Sequence, residues 1–291
     1  MKMPDNHIKS ALAYFKDELK AHYDAREIES MSSILFEHYF RLSKTDIMLH
    51  PDKKLSESEL LKVIFAVKQL KDFQPLAYII GEWEFYGLPF KVNESVLIPR
   101  QETEELVQLI LKENQQHSAL KILDIGCGSG CIAISLKSHL PSAQVAAWDV
   151  SEAALEVATK NAERLKQSIH FKKVNVLTVN ANEMEHYDII VSNPPYICDF
   201  EANSMDKNVT AHEPHLALFV PDDDALLFYR KIGELAQQKL LPSGKLYVEI
   251  NERLGEEVVQ LFKQQGFQLV ELIKDIHQKD RIVKASCSKP S

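Results

Sequence analysis

The sequence lacks several features that mark whole classes of protein. No apolar run approaches the ~20 residues that cross a bilayer, and the charged first residues lack the apolar core of a signal peptide. Only four cysteines occur in 291 residues, and no two of them form a CxxC pair. These absences favour a cytoplasmic protein with reduced thiols and no membrane partner.

Basic residues are also fewer than acidic residues. Lys and Arg total 34 against 42 for Asp and Glu, a formal net charge of −8, which argues against duplex DNA as the main partner. Hydrophobic residues at 45% and charged residues at 26% are ordinary for a globular protein, and the length favours two domains.

Glycine is scarce as well, with nine in the whole chain, yet three fall close together at Gly126, Gly128 and Gly130. This cluster is the first candidate for a functional site, because glycine lets a backbone turn tightly beside a ligand.

The N-terminal region is predicted to be helical from residue 5 to about 73. Apolar residues recur there at helical spacing, and Ser43 and Ser56 each precede a carboxylate by three residues, as in a capping box. Basic and acidic residues balance, and no catalytic group of residues stands out. We therefore predict that residues 1–73 form a small helical domain that supports or docks something.

A different pattern follows Pro75. Aromatic and β-favouring residues flank Gly87-Leu88-Pro89, which predicts a β-hairpin within a linker over residues 74–100. Residues 101–291 then alternate between strand and helix patterns, so we expect a mostly parallel sheet with helices on both faces. The predicted strands are 121–124, 144–149, 169–174, 187–192, 245–250, 268–274 and 281–287, and the predicted helices are 102–112, 131–140, 152–166, 225–240 and 256–265.

The glycine cluster lies in Leu123-Asp-Ile-Gly-Cys-Gly-Ser-Gly130, between a predicted strand and its helix. The spacing is G-x-G-x-G and differs from the G-x-G-x-x-G of dinucleotide binders. Asp124 places an acceptor beside the glycines, which suits a ligand with a cationic amino group better than a pyrophosphate. A purely structural glycine turn is the alternative.

Asp149 ends the next predicted strand, where an acidic residue of a doubly wound sheet can accept hydrogen bonds from both ribose hydroxyls. The alternative is a helix N-cap, for which Asp149 or Ser151 would serve equally well.

The third motif, Asn193-Pro-Pro-Tyr196, directly follows a buried-type strand. The two prolines force an extended exit from the sheet, so the Asn193 side chain and the Pro194 carbonyl can face one point. Two acceptors and a flanking aromatic ring form a receptacle for a planar –NH2 group. Pro-Pro can also occur in any loop, but this one is predicted at the same sheet edge as the glycines.

These motifs in this order resemble an S-adenosylmethionine-dependent amino-group methyltransferase. Further segments make the chain similar to the peptide chain release factor glutamine methyltransferase family (PrmC/HemK) over most of its length, least in the helical N-terminus. These segments are Gly81-Glu-Trp-Glu-Phe-Tyr-Gly87, Val96-Leu-Ile-Pro-Arg100, Glu102-Thr-Glu104, Asn193-Pro-Pro-Tyr-Ile197, Glu213-Pro214 and Ala217-Leu218.

The resemblance implies an α/β fold with a Rossmann-like class I methyltransferase sheet, seven-stranded, mixed and mostly parallel, after an all-helical domain and a hairpin linker. It implies methylation of the glutamine amide in the Gly-Gly-Gln motif of class-I release factors, by a monomer with no stable nucleic-acid partner. The implied catalytic residues are Asn193, Pro194, Pro195 and Tyr196. The implied cofactor-binding residues are Asp124, Gly126, Cys127, Gly128, Ser129, Gly130, Asp149, Asn175, Val176 and Asn193, with no metal.

The chain departs from the family pattern in a few places. Cys127 stands where Thr or Ala is common, Asn251 follows Glu249-Ile250 where Gly is frequent, and His277-Gln278 replaces a glycine. Asn175 occupies a position that is often Asp, and Val176 a position that is often bulky, so the adenine contacts are the least defined part of the predicted site.

Other functions stay open at this point. A DNA adenine or cytosine amino-methyltransferase uses a similar receptacle on a flipped base, and a non-catalytic cofactor-binding protein or a nicotinamide oxidoreductase are weaker rivals. His212 and His215 flank Glu213 without a third metal ligand nearby, and Cys127 with Cys131 lacks a redox partner.

Overall fold

The computed structural model describes residues 5–115 and 119–287. The outer limits of the predicted domains, at residues 1 and 291, lie outside these. The chain forms two compact units: the first runs to Gly81 and also contains Asp206–His212, and the second comprises Glu82–Met205 and the chain from Glu213 onward. The predicted linker, 74–100, spans the boundary at Gly81.

The first unit is helical, as predicted. Its helices are α1 (Ile8–Leu19), α2 (Ala25–Phe40), α3 (Lys44–Leu49), α4 (Glu57–Lys71) and α5 (Leu76–Ile80), with α9 (Lys207–His212) from the later segment. Both predicted capping boxes are confirmed, at the starts of α3 and α4.

This unit has a hydrophobic core of its own. Phe15 and Phe36 are fully buried, with their rings edge to face at 6.3 Å between centroids. Buried side chains of α1, α2 and α4 surround them at the three- and four-residue spacing of amphipathic helices.

The second unit begins with the predicted hairpin, formed by β1 (Glu82–Phe85) and β2 (Leu88–Lys91). The turn lies at Tyr86-Gly87, so Leu88 and Pro89, which the sequence placed in the turn, belong to β2 instead. Tyr86 and Gly87 have positive φ, 50° and 71°, which matches the twist of a two-residue hairpin turn.

The main sheet has seven strands in the order β10-β11-β9-β6-β3-β4-β5. The strands are β3 (Lys121–Ile125), β4 (Gln144–Asp149), β5 (His170–Lys173), β6 (Tyr187–Ser192), β9 (Leu240–Glu249), β10 (Leu269–Lys274) and β11 (Asp280–Ser286). Only the pairings that involve β11 are antiparallel. The mixed, mostly parallel seven-stranded sheet is therefore confirmed.

Helices cover both faces of this sheet. They are α6 (Gln101–Asn114), α7 (Cys131–His139), α8 (Glu152–Arg164), α11 (Leu227–Lys239) and α12 (Gly255–Gln264). Adjacent residues of β3 point to opposite faces, so Ile122 packs in the core below α6 and α7 while Leu123 packs in the core below α11 and α12.

The largest difference from the predicted strands concerns β9, which begins at Leu240 and not at residue 245. A register irregularity after Tyr187 in the neighbouring β6 accompanies the early start. Short elements between β6 and α11 were not predicted: β7 (Ile197–Cys198) pairs with β8 (Phe219–Val220), and α10 (His215–Leu218) precedes β8.

Candidate active site

The three motifs meet at one edge of the sheet in the second unit. β3 pairs in parallel with both β4 and β6, so the glycine loop after β3, Asp149 at the end of β4 and Asn193 after β6 are neighbours. A cavity of about 220 Å³ opens there. Ligands of doubly wound sheets bind at this position, outside the carboxyl ends of the strands.

Eight of the predicted site residues line this cavity, namely Gly126, Gly128, Asp149, Asn175, Val176, Asn193, Pro194 and Pro195. The other five predicted residues, Asp124, Cys127, Ser129, Gly130 and Tyr196, do not belong to its wall. The contacts of Asp124, Gly130 and Tyr196 show what these three residues can do.

The glycine loop is held open toward the cavity by backbone bonds. Gly126 N and Cys127 N both donate to the Trp148 carbonyl, at 2.8 and 2.9 Å. A Cβ added at Gly126 or Gly128 would meet no atom within 4 Å, and both residues have positive φ. The loop therefore presents bare backbone to the cavity, which permits close approach of a ligand.

Gly130 serves a different purpose. Its φ is +79°, and an added Cβ would lie 3.0 Å from Ile134 Cδ1 and 3.2 Å from Ala158 Cβ. The residue thus lets the start of α7 pack closely against α8.

Asp149 is half-buried, and its carboxylate is fixed by two backbone donors. Oδ2 accepts from Gly128 N at 2.9 Å, and Oδ1 accepts from Ser151 N at 2.9 Å. The N-cap of α8 is Ser151, whose Oγ accepts from Ala154 N. Asp149 is therefore no helix cap, and its carboxylate faces the cavity beside the glycine loop.

Asp124 is completely buried beneath the loop. Oδ2 accepts from Ala133 N at 3.1 Å, but Oδ1 has no hydrogen-bond partner among the described residues. Burial, with the nearby Asp149 charge, raises the pKa of Asp124 to about 7.

The side-chain amide of Asn193 is the first member of a chain of hydrogen bonds to buried residues outside the cavity wall. Its Nδ2 donates to Thr103 Oγ1 at 3.1 Å, and Thr103 Oγ1 donates to Glu249 Oε2 at 2.6 Å. Thr103 and Glu249 are 2% and 1% exposed.

Tyr196 joins the same group from the other side. Its hydroxyl donates to Glu249 Oε1 at 3.2 Å, and Asn251 Nδ2 donates to its carbonyl at 3.3 Å. Burial and the Glu249 charge raise the pKa of Tyr196 well above its usual range. The ring packs against the core below α11, so the structure shows it supporting the loop.

Two cavity walls were not predicted as site residues. They are formed by Ser95–Leu97 and by Pro214 with Leu216 and Ala217. Buried Glu213 holds both in place, since Oε1 accepts from Arg100 Nη2 at 2.6 Å and Oε2 accepts from Ile98 N at 3.3 Å. The segments Val96-Leu-Ile-Pro-Arg100 and Glu213-Pro214 contributed to the family resemblance in the sequence analysis. Their presence could have indicated these walls, but no role at the site was predicted for them.

Among residues 5–115 and 119–287, no histidine or cysteine lines the cavity. His212 Nε2 lies 3.0 Å from the Asp72 carbonyl in the first unit. Burial raises the pKa of Cys127 and Cys131, to about 12 for Cys131, so both stay as thiols. Within residues 5–115 and 119–287, no group of three His, Cys, Asp or Glu could hold a metal, and no helix is long and apolar enough to cross a membrane.

The site fits a cofactor of the predicted kind. Asp124 is fully buried and is not part of the cavity wall, so its role beside a cationic amino group stays a prediction. The open space above Gly126 and Gly128 suits a ligand that lies against backbone, and the Asp149 carboxylate suits hydroxyl groups. Sheet order and site together define a Rossmann-like methyltransferase, whose cofactor is S-adenosylmethionine.

Comparisons with known proteins agree with this class. Residues 100–213 match the family model of the methyltransferase small domain, and residues 10–81 match that of the PrmC N-terminal domain. A methyltransferase structure from Pyrococcus furiosus shares the fold, with a TM-score of 0.53 at 17% identity, over 80% of this chain and 100% of that one.

Two bacterial proteins are similar to this chain in sequence over nearly their full length. The release factor glutamine methyltransferase of Flavobacterium psychrophilum is 49% identical, covering 96% of this chain and 99% of that protein. The protein of the same description from Bacteroides thetaiotaomicron is 44% identical, covering 94% and 98%. The chain belongs to the release factor glutamine methyltransferase family.

Proposed function

We propose that the protein transfers a methyl group from S-adenosylmethionine to the side-chain amide nitrogen of the glutamine in the Gly-Gly-Gln motif of class-I release factors. One observation carries the proposal: Asn193, Pro194 and Pro195 line the same cavity as the glycine loop and Asp149. A receptacle for an amide therefore adjoins a receptacle for the methyl donor, in a chain 49% identical to a release factor glutamine methyltransferase.

An amide nitrogen is a poor nucleophile because its lone pair is delocalised into the carbonyl. S-adenosylmethionine supplies an electrophilic methyl group on a positively charged sulfur. Asn193 Oδ1 and the Pro194 carbonyl each accept one N–H of the glutamine amide, so they hold the nitrogen and stabilise the positive charge that grows on it.

The cavity walls complete the arrangement. The apolar side chains of Val96, Leu97 and Leu216 line the same cavity as Asn193 and Pro194. Alignment of the nitrogen at about 3–3.5 Å from the methyl carbon supplies much of the remaining rate enhancement. The amide nitrogen would bond to the methyl carbon as the bond from that carbon to sulfur breaks, which leaves S-adenosylhomocysteine, and the methylated nitrogen would then lose one proton to solvent, so no base is required before transfer.

We further propose that the first unit binds the body of the release factor. It has a separate core, and it carries exposed apolar side chains on α4, Leu61 at 45% and Phe65 at 60% exposure. Four residues apart, these two share one face of the helix. A monomeric state and a cytoplasmic location stay predictions.

The primary test is incubation of the purified protein with a class-I release factor and labelled S-adenosylmethionine, with the modified residue located by mass spectrometry. Methylation at the Gly-Gly-Gln glutamine supports the proposal. Label on duplex DNA and none on the factor would instead establish the nucleic-acid alternative. Thermal stabilisation by S-adenosylhomocysteine but not NADH separately checks the cofactor.

Substitution of Asn193 tests the receptacle. Asn193→Ala should keep the fold and the cofactor affinity, while kcat falls by about 10²–10³, the usual cost of losing one preorganised contact. Asn193→Asp keeps an acceptor but adds a charge that stabilises the bound cofactor as much as the transition state, so binding is retained and turnover impaired. A folded Asn193→Ala protein within a few-fold of wild-type kcat would contradict the receptacle.

A further inference from the structure

We propose that Thr103, backed by Glu249, is a positioning residue that fixes which end of the Asn193 side-chain amide faces the substrate. The proposal rests on the function proposed above. Neither residue lines the cavity, and both act on the glutamine only through Asn193.

The direction of the hydrogen bonds follows from what each group can donate. A hydroxyl has one proton, and an ionised carboxylate only accepts. The 2.6 Å separation of Thr103 Oγ1 and Glu249 Oε2 lies in the range of about 2.5–2.7 Å for a hydroxyl on a carboxylate. With Glu249 ionised, the Thr103 proton is therefore committed to that carboxylate.

Thr103 is consequently an acceptor toward Asn193. Only the NH2 end of the Asn193 amide can bond to it, at 3.1 Å, and the flipped amide would set two acceptors against each other. With Nδ2 held on the buried side, Oδ1 is left to accept from the substrate N–H. A free asparagine side chain could present either end, and its NH2 end would repel the amide protons of glutamine.

Glu249 is itself held from several directions, which makes the arrangement stiff. Its second carboxylate oxygen accepts from the Tyr196 hydroxyl at 3.2 Å, and its backbone carbonyl accepts from the Tyr229 hydroxyl at 3.3 Å. Burial raises the pKa of Glu249, and the hydrogen bonds from Thr103 and Tyr196 together with the Arg281 charge offset only part of that rise.

The sheet brings the three residues together. β6 and β9 are adjacent and parallel, with Ser192 opposite Val248, so the next residues in each strand direction are Asn193 and Glu249. Thr103 lies in the first turn of α6, above the same edge, and is bonded through its amide to the Arg100 carbonyl.

The test compares Thr103→Val, which keeps the shape and removes the hydroxyl, with Thr103→Ser, which keeps the hydroxyl. Thr103→Val should lower kcat roughly 10- to 100-fold, the scale of a misplaced reacting group, with little change in the KM for S-adenosylmethionine. Thr103→Ser should restore most of the turnover.

Asn114→Leu is the matched control for a loss of buried polar contacts. Asn114 is buried at the other end of the same helix, and its Nδ2 donates to the Ile110 carbonyl. This variant should lose stability yet keep kcat within about two-fold. A folded Thr103→Val protein with wild-type kcat, or a Thr103→Ser protein no better than Thr103→Val, would overturn the proposal.

A measurement on the unaltered protein covers the case in which Thr103→Val does not fold. With ¹⁵N-labelled asparagine, the side-chain NH2 signals of Asn193 are assigned by their loss in Asn193→Ala, and the proton that faces Thr103 should exchange with water more slowly than the other proton on the same nitrogen. Equally rapid exchange of the two protons would overturn the proposal. Failure of the wild-type protein to methylate a release factor would instead refute the function on which the inference rests, so the two failures are distinct.

Discussion

Asp124 lies in an environment unlike that of a free side chain in water. It is fully buried, has an oxygen without a partner among the described residues, and its pKa is raised to about 7. A carboxyl group with a raised pKa in the folded state binds its proton more tightly there than in the unfolded chain. Raising the pH from about 4 to about 7 therefore removes stability.

Asp124→Asn, which cannot ionise, isolates this effect. We expect the free energy of unfolding of the wild type, relative to that of Asp124→Asn, to fall between about pH 4 and about pH 7 and to level off above that range. Denaturant unfolding at several pH values measures it, and the other carboxylates cancel in the comparison. A difference between the two proteins that is constant with pH would contradict the raised pKa.

Single residues also show where sequence reasoning is effective. Asp124, the glycines and Asp149 lie within one β-α-β stretch, and the parallel pairing of β3 with β4 follows from local patterns. Thr103 and Glu249 are far apart in the sequence, and their contact depends on the strand order of the finished sheet. No local pattern signals it.

At the scale of elements, the packing of α7 on α8 depends on Gly130. Gly130→Ala should destabilise the fold by about 2–4 kcal/mol, because it combines a left-handed backbone, about 1–2 kcal/mol, with crowding against Ile134 and Ala158. Gly87→Ala is the control, since φ is +71° there but the added Cβ meets nothing within 4 Å.

Thermal or denaturant unfolding of the two variants separates backbone strain from crowding. Gly87→Ala should cost only the strain, about 1–2 kcal/mol. Equal losses in the two variants would show that α7 and α8 adjust to the extra methyl group.

Elements with a clear period or a known turn chemistry were predictable, and irregular ones were not. The capping boxes at α3 and α4 and the hairpin followed from the residue types. The early start of β9 at Leu240 did not, because Pro242, Ser243 and Gly244 are typical of a turn. Leu240 pairs with Tyr187, and the next pair is Lys245 with Ile189, so the three residues lie at a register irregularity.

At the scale of the whole molecule, we have proposed that the first unit binds the release factor and that the second unit carries the active site. This proposal predicts a specific effect on KM. Leu61→Ser with Phe65→Ser should raise the KM for an intact release factor by roughly 5- to 30-fold, as expected for an interface contact worth 1–2 kcal/mol. Both side chains are exposed, so stability and the affinity for S-adenosylhomocysteine should stay unchanged. An unaltered KM would exclude this face of α4 from release factor binding.

The first unit contains one segment, Asp206–His212, that lies far along the sequence from its other residues. Lys207 lies 5.4 Å above the ring of Phe73, and His212 bonds to the Asp72 carbonyl, so Asp206–His212 completes a unit that otherwise ends at Gly81. During synthesis on the ribosome, the first 81 residues emerge long before this segment. At about 5–20 residues per second, the delay is on the order of ten seconds. During that interval the N-terminal helices lack the segment Asp206–His212. A protein truncated after Gly81 would lack this segment permanently.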